Sequence, residues 1–106
     1  MSIATTPQPP YYAEIITSLR NEGDHGYAAM TRHMVQLAAQ QPGFLGYESA
    51  RDELGITVSY WKNLESIAAW KEDALHRIAQ DRGRSLWYTQ YSLRVCRVER
   101  ESKFPE

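Results

Sequence analysis

Two histidines occupy positions that suit acid–base chemistry. His25 lies in the turn NEGDHG, between a strand-like run and a helix-like run, with Asp24 beside it to orient the imidazole. Histidine titrates near neutral pH, so a histidine at a strand end can accept or donate a proton. A simpler interpretation also fits, in which Asp24 caps the following helix and His25 faces water. His33, at the edge of that helix's apolar stripe, is likewise either a base or a surface residue.

Aromatic side chains form a second set with chemical potential. Such residues could line a pocket for a planar ligand, or they could fill a core or a subunit interface. At about 100° per residue, Trp70 lies at the edge of its helix's apolar stripe, where a pocket could open. For Trp87 and Tyr88 we favour an interface. The substrate-binding residues that we predict are Trp70, Tyr60, Trp61 and Tyr27.

Charged residues supply the remaining candidates. Arg77 shares a helix flank with Trp70 and could bind an anionic substrate or an oxyanion, although a solvated surface arginine is the alternative. Glu14 and Glu48 lie in strand-like runs on faces that we expect to be covered. A buried carboxylate could serve as a base, but pairing with an arginine of the last strand is the simpler account. The predicted catalytic residues are therefore His25, His33 and Arg77.

Composition excludes several classes of function. The 106 residues suffice for one domain, and a net charge of −1 without a basic run argues against nucleic-acid binding. No apolar run approaches the roughly 20 residues that a membrane-spanning helix needs. The single cysteine, Cys96, can form no internal disulfide and has no partners at the spacing of a zinc site, so we predict no metal. The N-terminus lacks the features of a signal peptide, and we expect a cytoplasmic protein.

The pattern of apolar residues predicts the order β-α-β-β-α-β, an α+β ferredoxin-like fold. We expect a flexible proline-rich lead-in over residues 1–10, one domain over 11–100 and a charged tail over 101–106. Asn63 is the expected N-cap of the second helix. The predicted strands cover 11–20, 44–51, 56–61 and 86–99, and the predicted helices cover 27–41 and 64–80.

The predicted sheet has a consequence for assembly. Right-handed crossovers place both helices on one face of the four-stranded antiparallel sheet, which leaves the other face without cover. Bulky apolar residues are distributed over both faces of the strands, so a single subunit would expose a large apolar patch. We therefore predict a homodimer that forms through the open sheet face.

Three segments carry a family resemblance. QPGFLGYES, GITVSYWKNLESIAAWK and WYTQYSLRVCRVER resemble the antibiotic biosynthesis monooxygenase superfamily of dimeric α+β barrels, over about residues 11–100. The Gly-Phe-Leu-Gly turn, the Tyr-Trp pair that ends the third strand and the tryptophan within the second helix are the most specific parts. The resemblance implies a pocket between sheet and helices. It also implies either cofactor-independent oxygenation of phenolic compounds or oxidative haem degradation.

The resemblance disfavours haem chemistry. In the haem-degrading relatives a histidine follows the helix tryptophan by ten residues, and Gln80 stands at that position after Trp70. His76 follows Trp70 by six residues, so the two side chains lie on opposite flanks of the helix. We therefore expect no cofactor. The predicted function is a monooxygenase acting on a small aromatic or phenolic compound; the alternatives are a non-catalytic dimer that binds a small ligand and a haem-binding relative.

Overall fold

The predicted order of elements is confirmed. The computed structural model describes residues 2–80 and 86–106, and within the second helix it describes side chains as far as residue 74. Compared with the prediction, the third strand begins two residues earlier and the fourth begins two residues later. The elements are β1 Tyr11–Arg20, α1 Tyr27–Ala39, β2 Phe44–Arg51, β3 Leu54–Trp61, α2 Leu64–Gln80 and β4 Tyr88–Val98.

The four strands form one antiparallel sheet in the order β2-β3-β1-β4, with β1 and β3 at its centre. Residues that face each other across strands share one face of a sheet. Glu14 of β1 lies between Ser59 of β3 and Val95 of β4, and four residues along β1, Ser18 lies between Gly55 and Tyr91. This register places Glu14 and Ser18 on the face that the helices cover, each beside a small residue of β3.

The packed core fills one end of the space between sheet and helices. Trp61 is fully buried, and its ring stacks on that of Trp70 with 6.1 Å between centroids. Phe44 meets Trp61 edge-on at 5.4 Å, while Ile67 and Ala38 complete the cluster from the two helices. Aromatic pairs at these separations contribute about 0.5–1.5 kcal/mol beyond their burial. The core therefore fixes the start of α2 against the end of β3.

Side-chain caps set the helix starts. The Asn63 Oδ1 atom accepts a hydrogen bond of 2.8 Å from the backbone N–H of Ser66, which confirms the predicted N-cap of α2. At α1 the N-cap is Gly26 in a left-handed conformation rather than Asp24. Asp24 still satisfies two free N–H groups of this turn, because its carboxylate accepts from Gly26 at 3.0 Å and from Ala28 at 3.1 Å.

The sheet face away from the helices is only partly covered. At one end residues near the N-terminus cross it: the Ala4 N–H donates to Glu48, and the Thr6 hydroxyl donates to Tyr11, each at 3.0 Å. At the other end Leu54 and Ile56 remain 48% and 43% exposed. Among the described helices, none is long and apolar enough to cross a bilayer.

A cavity between sheet and helices as the candidate functional site

A cavity of about 650 Å³ opens between the helix-covered face of the sheet and the two helices. Its lining is mostly apolar, and its volume lies within the range of pockets that hold small organic molecules. Ile16 and Leu93 contribute from the sheet, Met30 and Met34 from α1, and Trp70 from α2. The cavity therefore begins where the packed core ends.

Small side chains on the central strands create this space. On β3 the cavity-facing positions before Trp61 are Gly55, Thr57 and Ser59, none of which reaches far toward the helices. The Thr57 hydroxyl lies 2.9 Å from that of Ser49 on β2, so these two polar groups satisfy each other at the cavity wall. The result is a slot between the small residues of the sheet and the mostly apolar side chains of the helices.

Glu14 is the most unusual residue of the cavity. It lies at the centre of β1, is 3% exposed and lines the cavity, and its Oε2 atom is buried without a hydrogen-bond partner among the described residues. Burial raises the pKa of the Glu14 carboxyl above its ordinary value of 4.5, and the positive charge of Lys71 on α2 opposes part of that rise. A buried carboxylate beside an apolar slot is suited to accept a proton from a bound molecule.

The predicted ion pairs of the strand carboxylates do not form among the described residues. Arg94 lies opposite Ile15 on the other face of the sheet, so strand parity separates it from Glu14. Arg97, the other predicted partner, lies opposite Tyr12 on the same face as Glu14, but the two form no ion pair in the described part of the chain. Glu48 is also on that other face, where its carboxylate accepts hydrogen bonds from Tyr60 at 2.6 Å and from the Ala4 N–H. The sequence correctly indicated that Glu14 is a strand carboxylate on a covered face. That its Oε2 atom has no hydrogen-bond partner among the described residues depends on the register of three strands.

Trp70 forms a flat wall of the cavity. It is 6% exposed, and Trp61 supports it from behind through the stacked pair already described. The Trp61 indole N–H donates to the Ser59 hydroxyl at 2.9 Å, which fixes the orientation of Trp61 within the core. Trp70 therefore lines the cavity directly, while Trp61 contributes by holding it in place.

Arg51, Tyr27 and Tyr88 line the end of the cavity near the start of α1, and Arg20 packs against Tyr27. The Arg51 guanidinium donates to the Ser18 carbonyl oxygen at 3.3 Å and also to the Ser18 hydroxyl. Arg20 lies over the Tyr27 ring at 3.5 Å from its centroid, and Arg51 lies at 5.9 Å. Burial, followed by a hydrogen bond with Tyr27, raises the pKa of Tyr88, so this phenol stays neutral.

Neither predicted catalytic histidine lines the cavity. His25 is exposed, has a positive φ of 51° and lies in the turn, with its ring over Gly23. Its carbonyl oxygen, rather than its imidazole, makes the tertiary contact, accepting a 2.9 Å hydrogen bond from the Trp87 indole N–H. His33 is exposed on α1. We therefore assign neither histidine a role in the cavity.

The remaining predicted residues divide by strand parity and by helix position. Tyr27 lines the cavity, whereas Tyr60 lies on the opposite face of the sheet, because adjacent residues of β3 point to opposite sides and Trp61 points toward the helices. The side chain of Arg77 lies outside the described residues, as does that of His76.

Trp87 and Tyr88, for which we favoured an interface, lie instead in contact with other parts of the same chain. Trp87 is 3% exposed within the single chain, where its ring packs at 6.5 Å from that of Tyr27, so it is a core residue. Tyr88 lines the cavity. The sequence indicated an aromatic cluster here, but it could not show that the turn before α1 folds back over Trp87.

The described residues contain no cluster of histidine, cysteine, aspartate or glutamate that could hold a metal ion. No histidine occurs in the described lining of the cavity either, so no imidazole of that lining is placed to ligate a haem iron. The groups that the described lining offers to a ligand are instead a buried carboxylate, four phenols, arginine side chains and apolar walls.

The fold and the cavity define a class: a ferredoxin-like α+β domain with a cavity between its sheet and its helices. Comparison with known proteins gives the family. Residues 10–82 match the family described as antibiotic biosynthesis monooxygenase, and the chain belongs to it. Family membership supports a monooxygenase as the general class of activity.

Two relatives illustrate the range of the family. The chain is 48% identical over 106 residues to the uncharacterized protein YqjZ of Bacillus subtilis, covering 98% of this chain and 93% of that one. It is 29% identical over 99 residues to the jasmonate monooxygenase ABM of Pyricularia oryzae, covering 89% of this chain but 40% of that protein. The second relative therefore contains much sequence that has no counterpart here.

Solved structures share the fold at low sequence identity. PA3566 from Pseudomonas aeruginosa matches with a TM-score of 0.68 at 15% identity, covering 91% of this chain and 99% of that one. An N63A mutant of SnoaB, a cofactor-independent oxygenase from Streptomyces nogalater, matches with a TM-score of 0.69 at 12% identity, covering 91% and 98%. At these identities the likeness concerns the fold.

Proposed function

We propose that this protein is a cofactor-independent monooxygenase that oxidises a small aromatic or phenolic compound in the cavity, with Glu14 as the base. The observation that carries the proposal is the buried Glu14 carboxylate, whose Oε2 atom lacks a partner in the described part of the chain, beside an apolar slot. Membership of the monooxygenase family supports the same reaction class.

The proposed reaction needs a proton acceptor and a substrate that becomes electron-rich on losing a proton. For an anthrone-type substrate, the Glu14 carboxylate removes a proton from the ring CH₂ group, and the resulting anion gives one electron to dioxygen. The substrate radical and superoxide combine to form a C–O bond, and protonation gives a hydroperoxide. Loss of water leaves a carbonyl group, so that R₂CH₂ and O₂ become R₂C=O and H₂O without an external reductant.

The other cavity residues have matching roles. Trp70 offers a flat face against which an aromatic ring can stack, and the apolar lining excludes water from the reactive anion. Lys71 lines the cavity and favours the ionised form of Glu14, so that the carboxylate can act as a base. Each role uses a side chain that the structure already places at the cavity.

The same observation supports an enzyme over a non-catalytic binding protein. A cleft filled with methionine and leucine side chains would have favoured binding or a purely structural role. Instead the cavity remains open and contains an ionisable group against its apolar wall. General bases contribute about a hundredfold to ten-thousandfold to a rate, so removal of the group has a measurable effect.

Oxygen uptake with anthrone tests the proposal. After subtraction of the uncatalysed rate, we expect the wild-type protein to consume one O₂ per anthrone, and Glu14→Gln to lower kcat about a hundredfold or more. The matched control is Glu72→Gln on the exposed side of α2, which should keep the wild-type rate, as should His25→Ala and His33→Ala. Undiminished turnover by Glu14→Gln would remove the assigned base.

A further inference from the structure

The Arg51 side chain follows an unusual path across the sheet. Arg51 is paired with Gly55 between β2 and β3, and Gly55 is paired with Ser18 between β3 and β1. The guanidinium crosses the whole width of β3 to bond Ser18. A Cβ atom at Gly55 would overlap the guanidinium, so this path requires glycine there and a short side chain at position 18.

The partners of Arg51 leave its charge uncompensated. Its two hydrogen bonds to Ser18 go to neutral oxygens, and among the described residues no carboxylate forms an ion pair with Arg51. The second arginine at this end, Arg20, donates to the carbonyl oxygens of Trp87 at 2.9 Å and Gly23 at 3.1 Å. A guanidinium has five N–H donors, so Arg51 retains donors for a further acceptor.

The hydrogen bonds between Arg51 and Ser18 place the guanidinium at a definite distance from Glu14 along the cavity. Ser18, to which Arg51 bonds, lies four residues along β1 from Glu14, on the same cavity-facing side. At about 3.3 Å per residue, the two backbone positions are separated by about 13 Å. Ile16 lines the cavity between these two positions, and Tyr27 and Tyr88 line it near Arg51. The cavity thus has a proton acceptor at one place and, at another, a cation that forms no ion pair with the described residues.

We propose that Arg51 binds a carboxylate of the substrate, so that the substrate class is a planar aromatic acid. This inference rests on the proposed function, in which Glu14 removes a proton from the other end of the substrate. The planar fork of a guanidinium matches the two oxygens of a carboxylate, and charge-assisted hydrogen bonds are about twice as strong as neutral ones. Arg51 is exposed, so the carboxylate keeps partial contact with water while the rings lie in the apolar slot.

Calorimetric binding of two matched probes tests the inference. The probes are 6-hydroxy-2-naphthoic acid and its carboxamide, which share rings and hydroxyl but differ in charge. For the wild-type protein we expect the acid to bind about tenfold more tightly, which corresponds to one charge-assisted hydrogen-bonded contact at a partly exposed site. Arg51→Gln should bring the ratio of the two Kd values to about one while leaving the carboxamide Kd unchanged.

Two further variants make the result specific. Arg100→Gln removes an arginine from the exposed tail and should keep the tenfold ratio, which excludes a general effect of net charge. Ser18→Ala removes one of the bonds that hold the guanidinium and should lower the ratio only in part. A ratio that persists in Arg51→Gln, equal binding of both probes by the wild type, or no binding of the acid would each overturn the assignment.

Binding and turnover distinguish this inference from the proposed function. Glu14→Gln should retain the preference for the acid while losing oxygen uptake, because it leaves Arg51 in place. If the acid is preferred but no oxygen is consumed, the carboxylate site stands and the oxygenase proposal fails. If oxygen uptake depends on Glu14 but the acid has no advantage, the carboxylate site alone fails.

Discussion

At the level of single residues, the proposed function depends most on Glu14. Burying an ionised carboxylate is costly unless it is paired, and proteins commonly answer by raising its pKa. Burial raises the pKa of Glu14 in this way, and the positive charge of Lys71 lowers it in part. A leucine or valine at this place in β1 would pack more favourably. Retaining an ionisable group that weakens the fold is consistent with a chemical role.

The raised pKa of Glu14 makes stability depend on pH. Below 4.5 the carboxyl is protonated in the folded and the unfolded chain, so it contributes no charge penalty. As pH rises from 4.5 toward the raised folded pKa, the unfolded state releases its proton first and the folded state loses stability. We therefore expect the midpoint of thermal unfolding of Glu14→Gln to gain on that of the wild type as pH rises above 4.5.

The size of that gain follows from the shift itself. Each unit of pKa difference between the folded and unfolded states corresponds to about 1.4 kcal/mol. Circular dichroism melts at several pH values measure the difference, and the gain should level off once Glu14 is ionised in both states. Glu72→Gln serves as the control and should follow the wild-type curve at every pH. A constant difference between Glu14→Gln and the wild type would contradict a raised pKa.

At the scale of elements, close contacts between turns and helices position the cavity. Gly43 has a φ of 84°, and a Cβ atom there would overlap the side chain of Ser66 in the first turn of α2. The Lys62 N–H donates to the Gly43 carbonyl oxygen at 2.8 Å, which ties the loop before β2 to the end of β3. Together with the Asn63 cap, these contacts fix where α2 begins and hence where Trp70 lies.

The elements themselves were predictable from local patterns. Alternation along Tyr11–Arg20 gave β1 and both of its faces, and the helical stripe with Asn63 before it gave α2. The site was less predictable, because its two charged residues depend on pairing between distant strands. In sequence, Arg51 is an ordinary arginine before a hairpin turn. Only the register with Gly55 and Ser18 brings its guanidinium to the cavity.

The two predicted histidines do not line the cavity, and for His25 the reason is related. A histidine between a strand and a helix is chemically attractive, but its side-chain direction depends on the backbone of the turn. His25 adopts a left-handed conformation and turns its carbonyl oxygen toward Trp87. Residue type and spacing therefore identified the end of the sheet near which the cavity lies, but not which side chains face the cavity.

At the scale of the whole molecule, we propose that two copies of the chain associate through the open sheet face. On β3 this face carries Leu54, Ile56 and Val58, and on β1 it carries Ile15 and Leu19. Leu19 is 37% exposed, and the residues near the N-terminus cover a different part of the face. A second copy would bury this apolar surface and leave both cavities, which lie on the other side of each sheet, accessible.

Sedimentation velocity tests this assembly. We expect twice the mass of one chain for the wild type, and a single mass for Ile56→Glu, because a charge in the middle of the apolar face opposes its burial. Leu64→Glu is the matched control, since Leu64 is 50% exposed on the helix side and should not affect association. A wild-type protein that stays a single subunit in dilute solution would refute the dimer but would leave the cavity assignments unchanged.

The central claim is that Glu14 is a buried carboxylate held ready to accept a proton in the cavity. Its pKa can be measured directly by ¹³C NMR of the glutamate carboxyl carbons, with the Glu14 signal assigned from its loss in Glu14→Gln. We expect an inflection at a pH above 4.5 that moves when an aromatic acid fills the cavity. An inflection at or below 4.5, unmoved by the ligand, would contradict it.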